Sequence, residues 1–159
     1  MIEIHNEVEI NAPVERVWEV LTDLARFPEW NPLFYQGIGN IKVGEMVTVS
    51  AKTATNDMKF DCKVIGLEPL RGFSWKFHVI YPVLFRGIHI FQVEPMTEQI
   101  VKFVDREQFE GLLLPLQTND IRTNGLAAMV GMGQALKQRV ESSKPVSSSP
   151  DRIGVIDDY

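Results

Sequence analysis

Three ionisable side chains interrupt two apolar strand faces in the second half of the sequence. His89 lies on one such face, and Asp105 and Glu107 lie on the matching face of the next predicted strand. The other members of these two faces carry no charge: Phe85, Gly87, Phe91, Val93, Val101, Phe103 and Phe109. A hairpin turn centred near Thr97 places His89 opposite Asp105, whereas a turn centred near Met96 places Asp105 opposite Gly87 and His89 opposite Phe103. Either register predicts a single polar patch.

Three roles are open to this patch. A charge isolated in an apolar environment is costly, so a carboxylate here must be paired or protonated, and a purely structural ion pair is one interpretation. The patch can instead orient a ligand without reacting with it. An imidazole beside a carboxylate in an apolar pocket can also transfer protons during a cyclisation or a dehydration. His89, Asp105 and Glu107 are therefore the candidate catalytic residues.

No other motif indicates a metal or a cofactor. The sequence contains no His-Glu-x-x-His, no Cys-x-x-Cys and no phosphate-binding glycine loop, and its three histidines fall on different strands. The single cysteine, Cys62, has no evident activating partner and is expected to pack as a small apolar residue. We predict neither a metal site nor a cofactor.

The composition restricts the class of protein further. The chain has 159 residues, of which 45% are hydrophobic, and a net charge of −5, which suits one globular domain. No cluster of Lys and Arg predicts nucleic-acid binding, and no stretch reaches the roughly 20 apolar residues of a membrane-spanning helix. The lone cysteine and a start without signal-peptide features favour the cytoplasm. The oligomeric state stays open.

The elements that must position the patch follow from the hydrophobic period. Residues 2–10 alternate and predict a strand. Asn11 is the expected cap of a first short helix with Pro13 in its first turn, and Asp23 is the expected cap of a second that stops near Pro28. From about residue 34 to 109 the period of two returns with short connections, which predicts consecutive antiparallel strands.

A long helix is predicted over residues 118–141, with Thr118 or Asn119 as its cap. Its expected apolar stripe consists of Leu126, Met129, Val130, Gly133, Leu136 and Val140. The composition then changes to serine, proline and charged residues, so we predict a domain over residues 1–141 and a disordered tail over residues 142–159.

Two stretches resemble a known superfamily. Residues 11–18 (NAPVERVW), with residues 23–32, resemble the opening of SRPBCC proteins, which include START domains, Bet v 1-like proteins and the polyketide cyclase/dehydrase-like branch. Residues 85–91 and 107–113 resemble two later strands of bacterial members. The similarity covers about residues 2–141. It implies an α+β helix-grip fold of order β-α-α-β6-α, in which a curved seven-stranded antiparallel sheet surrounds the C-terminal helix.

The same resemblance implies a central cavity that binds a hydrophobic small molecule such as a lipid, a polyketide or an aromatic metabolite. Two other functions stay open: a polyketide cyclase/aromatase-like enzyme that uses the polar patch, and a protein-interaction or chaperone-activator-like module. The cavity mouth is expected near residues 30–35, 80–84 and 112–116. The predicted ligand-binding residues are Trp30, Phe34, Phe60, Trp75, Phe77, His89, Phe91, Phe103, Asp105, Glu107, Phe109, Met129 and Gly133.

Overall fold

A seven-stranded antiparallel sheet curls around the C-terminal helix, as the helix-grip prediction requires. The computed structural model describes residues 1–52 and 57–142, so the predicted disordered tail lies, apart from Ser142, outside the described residues. The strands are β1 (Ile2–Ile10), β2 (Phe34–Ile38), β3 (Met46–Lys52), β4 (Asp57–Glu68), β5 (Gly72–His78), β6 (Arg86–Thr97) and β7 (Ile100–Glu110). The helices are α1 (Val14–Thr22), a 3-10 helix (Leu24–Glu29), α2 (Leu114–Asp120), a π-helical turn (Ile121–Gly125) and α3 (Leu126–Ser142).

The order of the strands brings the two ends of the domain together. The sheet runs β1-β7-β6-β5-β4-β3-β2, so the first strand pairs with the last, from Ile2 opposite Phe109 to Ile10 opposite Val101. The alternation of β1 buries Ile4, Val8 and Ile10 against α3. Successive side chains of a strand point to opposite faces, so Asn6 shares this inward face.

The start of α1 differs from the prediction. The N-cap is Pro13 and not Asn11, and no side chain caps this end. Asn11 instead donates its backbone N–H and its Nδ2 to Glu141 Oε1, at 2.8 and 3.1 Å, and so connects the region before α1 to the last turn of α3. Asp23 precedes the 3-10 helix without a capping hydrogen bond, and Pro28 lies inside that helix.

The C-terminal helical region begins earlier than predicted. It starts at Leu114 instead of residue 118, and neither Thr118 nor Asn119 caps it, because both lie within α2. The π-helical turn separates α2 from α3. On α3 the buried face consists of Met129, Met132, Gly133, Leu136 and Val140. Val130 was wrongly assigned to this face: it lies at its flank and is 39% exposed.

The hairpin between β6 and β7 has a third register, so both predicted ones are wrong. His89 faces Glu107, and Phe91 faces Asp105. The strand continues to Thr97 because a bulge between Pro95 and Thr97 accommodates a residue that has no N–H to donate. Thr97 Oγ1 then accepts the N–H of Gln99 at 3.2 Å and closes a tighter turn.

No helix within the described ranges is long and apolar enough to cross a membrane.

Candidate functional site

A cavity of about 440 Å³ lies between the sheet and the start of the C-terminal helical region. This volume is within the usual range of small-molecule pockets. Most of its wall is apolar and comes from strands β2 to β7, while α2, the π-helical turn and the start of α3 supply the other side. Seven of the predicted ligand-binding residues line it: Phe34, Phe60, Trp75, Phe77, His89, Glu107 and Phe109.

The other six predicted residues lie outside the cavity lining. Phe91 and Phe103 are fully buried in the main core. Met129 packs in a smaller cluster with Ile4, Phe109, Leu114 and Ile121.

Trp30 packs its ring edge-on to Phe27, with the centroids 5.5 Å apart. Gly133 lies against Asn6 and Val8 of β1. Asp105 is fully buried beside His89. Of the six, only Phe91, Phe103 and Asp105 share the inward alternation of the strand residues in the wall, and these three are fully buried in the core.

The predicted polar patch is assembled from neighbouring strands. His89 Nε2 lies 2.5 Å from Asp105 Oδ1, and His89 Nδ1 lies 3.7 Å from Glu107 Oε1. Glu107 is the direct cross-strand partner of His89, and Asp105 is its diagonal neighbour. The bulge at Pro95 sets this arrangement, since a shift of the hairpin register would change which carboxylate faces the imidazole. The side chains of His89 and Asp105 are buried, whereas that of Glu107 keeps 16% exposure.

Three aromatic rings surround the His89 imidazole. Phe91 stacks on it with ring centroids 4.1 Å apart, and Phe34 and Trp75 approach it at 5.8 and 6.0 Å. Aromatic faces attract a cation, so these contacts also favour a charged imidazole. The rings fix the orientation of the imidazole in the floor of the cavity.

The pKa of His89 is raised above its usual value. Burial by itself acts to lower this pKa because it disfavours the imidazolium, but the Asp105 and Glu107 carboxylates and the hydrogen bond to Asp105 together outweigh burial. The two carboxylates therefore favour the charged form of the imidazole, whose Nδ1 lies on the side of Glu107.

The pKa of Glu107 is raised to about 7. Burial is the main cause; the His89 charge acts to lower it, and the Asp105 charge acts to raise it. A carboxyl group with this pKa exchanges protons readily near neutral pH. Together the two cavity-lining groups can donate a hydrogen bond and accept or supply a proton.

Cys62 also lines the cavity, and its pKa is raised to about 12 by burial and by the Glu107 and Asp61 carboxylates. Its thiol is therefore neutral, as expected from the sequence for a residue that packs as a small apolar group. Within residues 1–52 and 57–142, no group of three or more His, Cys, Asp or Glu side chains is arranged to hold a metal ion.

The helical side of the cavity was missing from the predicted site. Gln117, Ile121, Gly125 and Ala128 line it at spacings of three or four residues, and Asp120 and Asn124 add polar groups at its exposed rim. This spacing was visible in the sequence, but the predicted ligand-binding residues of the helix were Met129 and Gly133, and Gln117 lies before the predicted start at residue 118. Two of the segments expected at the mouth expose apolar side chains: Ile80, in the loop between β5 and β6, is 72% exposed, and Leu116, in α2, is 79% exposed.

Solved structures of low sequence identity share this fold. The aromatase/cyclase Zhui from a Streptomyces species matches with a TM-score of 0.67 at 16% identity, over 89% of this chain and 96% of that one. A START superfamily protein from Mycobacterium smegmatis matches with a TM-score of 0.66 at 14% identity, over 87% and 97%. Norcoclaurine synthase from Thalictrum flavum matches with a TM-score of 0.66 at 16% identity, over 89% and 87%.

No curated protein sequence matches the chain. The family profile described as polyketide cyclase/dehydrase and lipid transport matches residues 1–143. This match covers the seven strands and all three α-helices. The chain belongs to the polyketide cyclase/dehydrase and lipid transport family.

Proposed function

We propose that this protein binds a hydrophobic small molecule, an aromatic or polyketide-like compound that carries a carbonyl group, in the cavity between sheet and helix. The observation that carries the proposal is the contrast between an apolar wall and a polar floor, where His89 and Glu107 lie side by side on neighbouring strands. A pocket of this kind binds through apolar contact and orients its ligand through a few polar groups.

We expect a carbonyl group in the ligand because of the protonation of His89. An imidazolium at His89 is a hydrogen-bond donor, and its Nδ1 has no hydrogen-bond partner in the folded protein. A ligand oxygen that accepts this proton would satisfy a buried polar atom that is otherwise costly. A purely aliphatic ligand would leave it unsatisfied.

A second candidate function is proton-transfer catalysis on such a ligand. The pKa of Glu107, about 7, favours it, because a carboxyl group of that pKa can remove a proton next to a carbonyl that His89 polarises. Both Zhui, described as an aromatase/cyclase, and norcoclaurine synthase share the fold, which supports the possibility without assigning the reaction.

Binding of a fluorescent naphthyl ketone, Prodan, tests the first proposal. Wild-type protein should bind it with a blue shift in emission, and Ala128→Trp, which fills the cavity, should weaken binding at least about tenfold. Ala127→Trp is the matched control, because Ala127 is exposed and is the neighbour of Ala128 in the same helix. Equal affinity of the two variants, or no binding to the wild type, would refute a ligand site in this cavity.

The role of the ligand carbonyl group is tested with the naphthyl amine that corresponds to Prodan without its ketone. We expect it to bind about tenfold more weakly than Prodan to the wild type, because a hydrogen bond to a charged group contributes about 1.5–3 kcal/mol. This difference should disappear in His89→Phe. A difference that persists in the variant would assign the selectivity to another part of the cavity.

A further inference from the structure

Two buried polar atoms without partners lie on facing residues of β1 and β7. Asn6 is the cross-strand partner of Asp105 in the sheet. Asn6 Nδ2, a donor, and Asp105 Oδ2, an acceptor, are both inaccessible to solvent and neither has a hydrogen-bond partner. The other oxygen of Asp105 is already occupied by His89.

The two groups are complementary and close. Directly opposed residues of an antiparallel pair have their Cβ atoms about 4.5–5.5 Å apart, so an asparagine and an aspartate on the same face are within reach of each other, directly or through one water. An anion buried without a donor is strongly disfavoured, and each of the two atoms supplies what the other lacks.

The helix above Asn6 is shaped to leave room for its amide. Gly133 of α3 lies directly over it, and a Cβ at this position would be 2.7 Å from Asn6 Nδ2. Any larger residue would displace the amide. Gly133 therefore has a steric role that its place in the predicted ligand site did not anticipate.

We propose that Asn6 is a positioning residue: its amide donates to Oδ2 of Asp105 through one bridging water and keeps Asp105 as the carboxylate that orients His89. The connection runs from Gly133 through Asn6 and Asp105 to His89, whose Nδ1 remains available at the cavity. The inference rests on the proposed function only in treating that nitrogen as the ligand contact.

The charged groups around Asn6 and Asp105 determine the effect of removing the Asn6 amide. Glu107 is the other carboxylate acting on His89, and Cys62 is the titratable group across the cavity near Glu107. The inward faces of β1 and α3 bring no charge to the pair. Without the Asn6 donor, the Asp105 carboxylate is no longer held against His89, so it favours the charged imidazole less.

Nitrogen NMR of histidine-labelled, ligand-free protein tests the inference. At pH 7 the wild type should show both His89 nitrogens protonated. In Asn6→Leu the Nε2 resonance should move toward that of an unprotonated nitrogen, because the carboxylate that favours the Nε2 proton is no longer held in place. His5 and His78, both exposed, are internal references.

A cycle with Gly133→Ala separates positioning from a general structural effect. Gly133→Ala should shift Nε2 of His89 in the wild-type background and have no added effect in Asn6→Leu, where the amide is gone. An unchanged Nε2 resonance in Asn6→Leu, or equal shifts from Gly133→Ala in both backgrounds, would overturn the proposal. If leucine prevents folding, an unchanged spectrum of Gly133→Ala alone overturns it. Because no ligand is present, these results are independent of Prodan binding.

Discussion

The buried pair of His89 and Asp105 predicts an unusual pattern of stabilities when its members are removed singly and together. His89→Leu leaves the Asp105 carboxylate fully buried with no counter-charge, and Glu107 is then the nearest ionisable group. Asp105→Leu leaves an imidazole that can become neutral, since burial itself disfavours its charge. The double variant leaves neither charge.

The magnitudes follow from burial. Breaking a buried ion pair by removing one partner costs about 3–5 kcal/mol, and we expect this cost for His89→Leu at pH 7. We expect a smaller loss of about 1–3 kcal/mol for Asp105→Leu, because a neutral imidazole has only an unsatisfied ring nitrogen. Replacing both partners by apolar residues is often neutral or stabilising, so the double variant should be at least as stable as either single one.

Urea unfolding followed by tryptophan fluorescence, to which buried Trp75 contributes, measures these differences. The exposed His78→Leu on β5 is the control, and it should change the free energy of unfolding by less than about 0.5 kcal/mol. If the two single losses simply add in the double variant, the pair does not interact as the geometry indicates.

Three further predictions concern the cavity wall. Glu107, whose pKa is about 7 in the fold against a usual 4.5, keeps a proton that the unfolded chain releases between these values. The free energy of unfolding should therefore fall by about 3 kcal/mol as pH rises through this window, and His89, with its raised pKa, continues the fall at higher pH. In Glu107→Gln, the free energy of unfolding measured by urea titration should depend less on pH. An equal pH dependence in the variant and the wild type would contradict the assignment. A Cβ at Gly87 would overlap the Phe77 ring, so Gly87→Ala should lower the free energy of unfolding by about 1–3 kcal/mol and weaken Prodan binding. A variant that binds Prodan with wild-type affinity would contradict this prediction. Cys62, with a pKa of about 12, is a thiolate in about one molecule in ten thousand at pH 8, so iodoacetamide should label it only as fast as the protein unfolds, not at the rate of an exposed thiol.

The sequence predicts the fold well because its periods are local. The alternation of each strand and the change to a helical period identify the elements, and the resemblance of residues 11–18 supplies their arrangement. The meeting of His89, Asp105 and Glu107 was also predictable, since inward positions of adjacent strands converge in any nearby register.

The features that the sequence did not predict depend on contacts between distant parts of the chain, which local sequence patterns do not contain. Whether Pro95 ends β6 or is absorbed in a bulge depends on its pairing with Val101, and this decides which carboxylate faces His89. The separation of Asp105 from the cavity depends on packing across the sheet. Asn6 is a different case, because one polar residue among the apolar inward positions of β1 was a visible signal.

The pairing of β1 with β7 has a consequence for how the protein is made. The first strand of the domain finds its partner only when the last strand has been synthesised, because Ile2 pairs with Phe109. His89 and Glu107 share one hairpin and can meet early, whereas Asn6 reaches Asp105 only when the first strand closes the sheet. We therefore expect the polar floor to be completed in the slow, last stage of folding, and an N-terminal extension that delays β1 should impair the site before it impairs the hairpin.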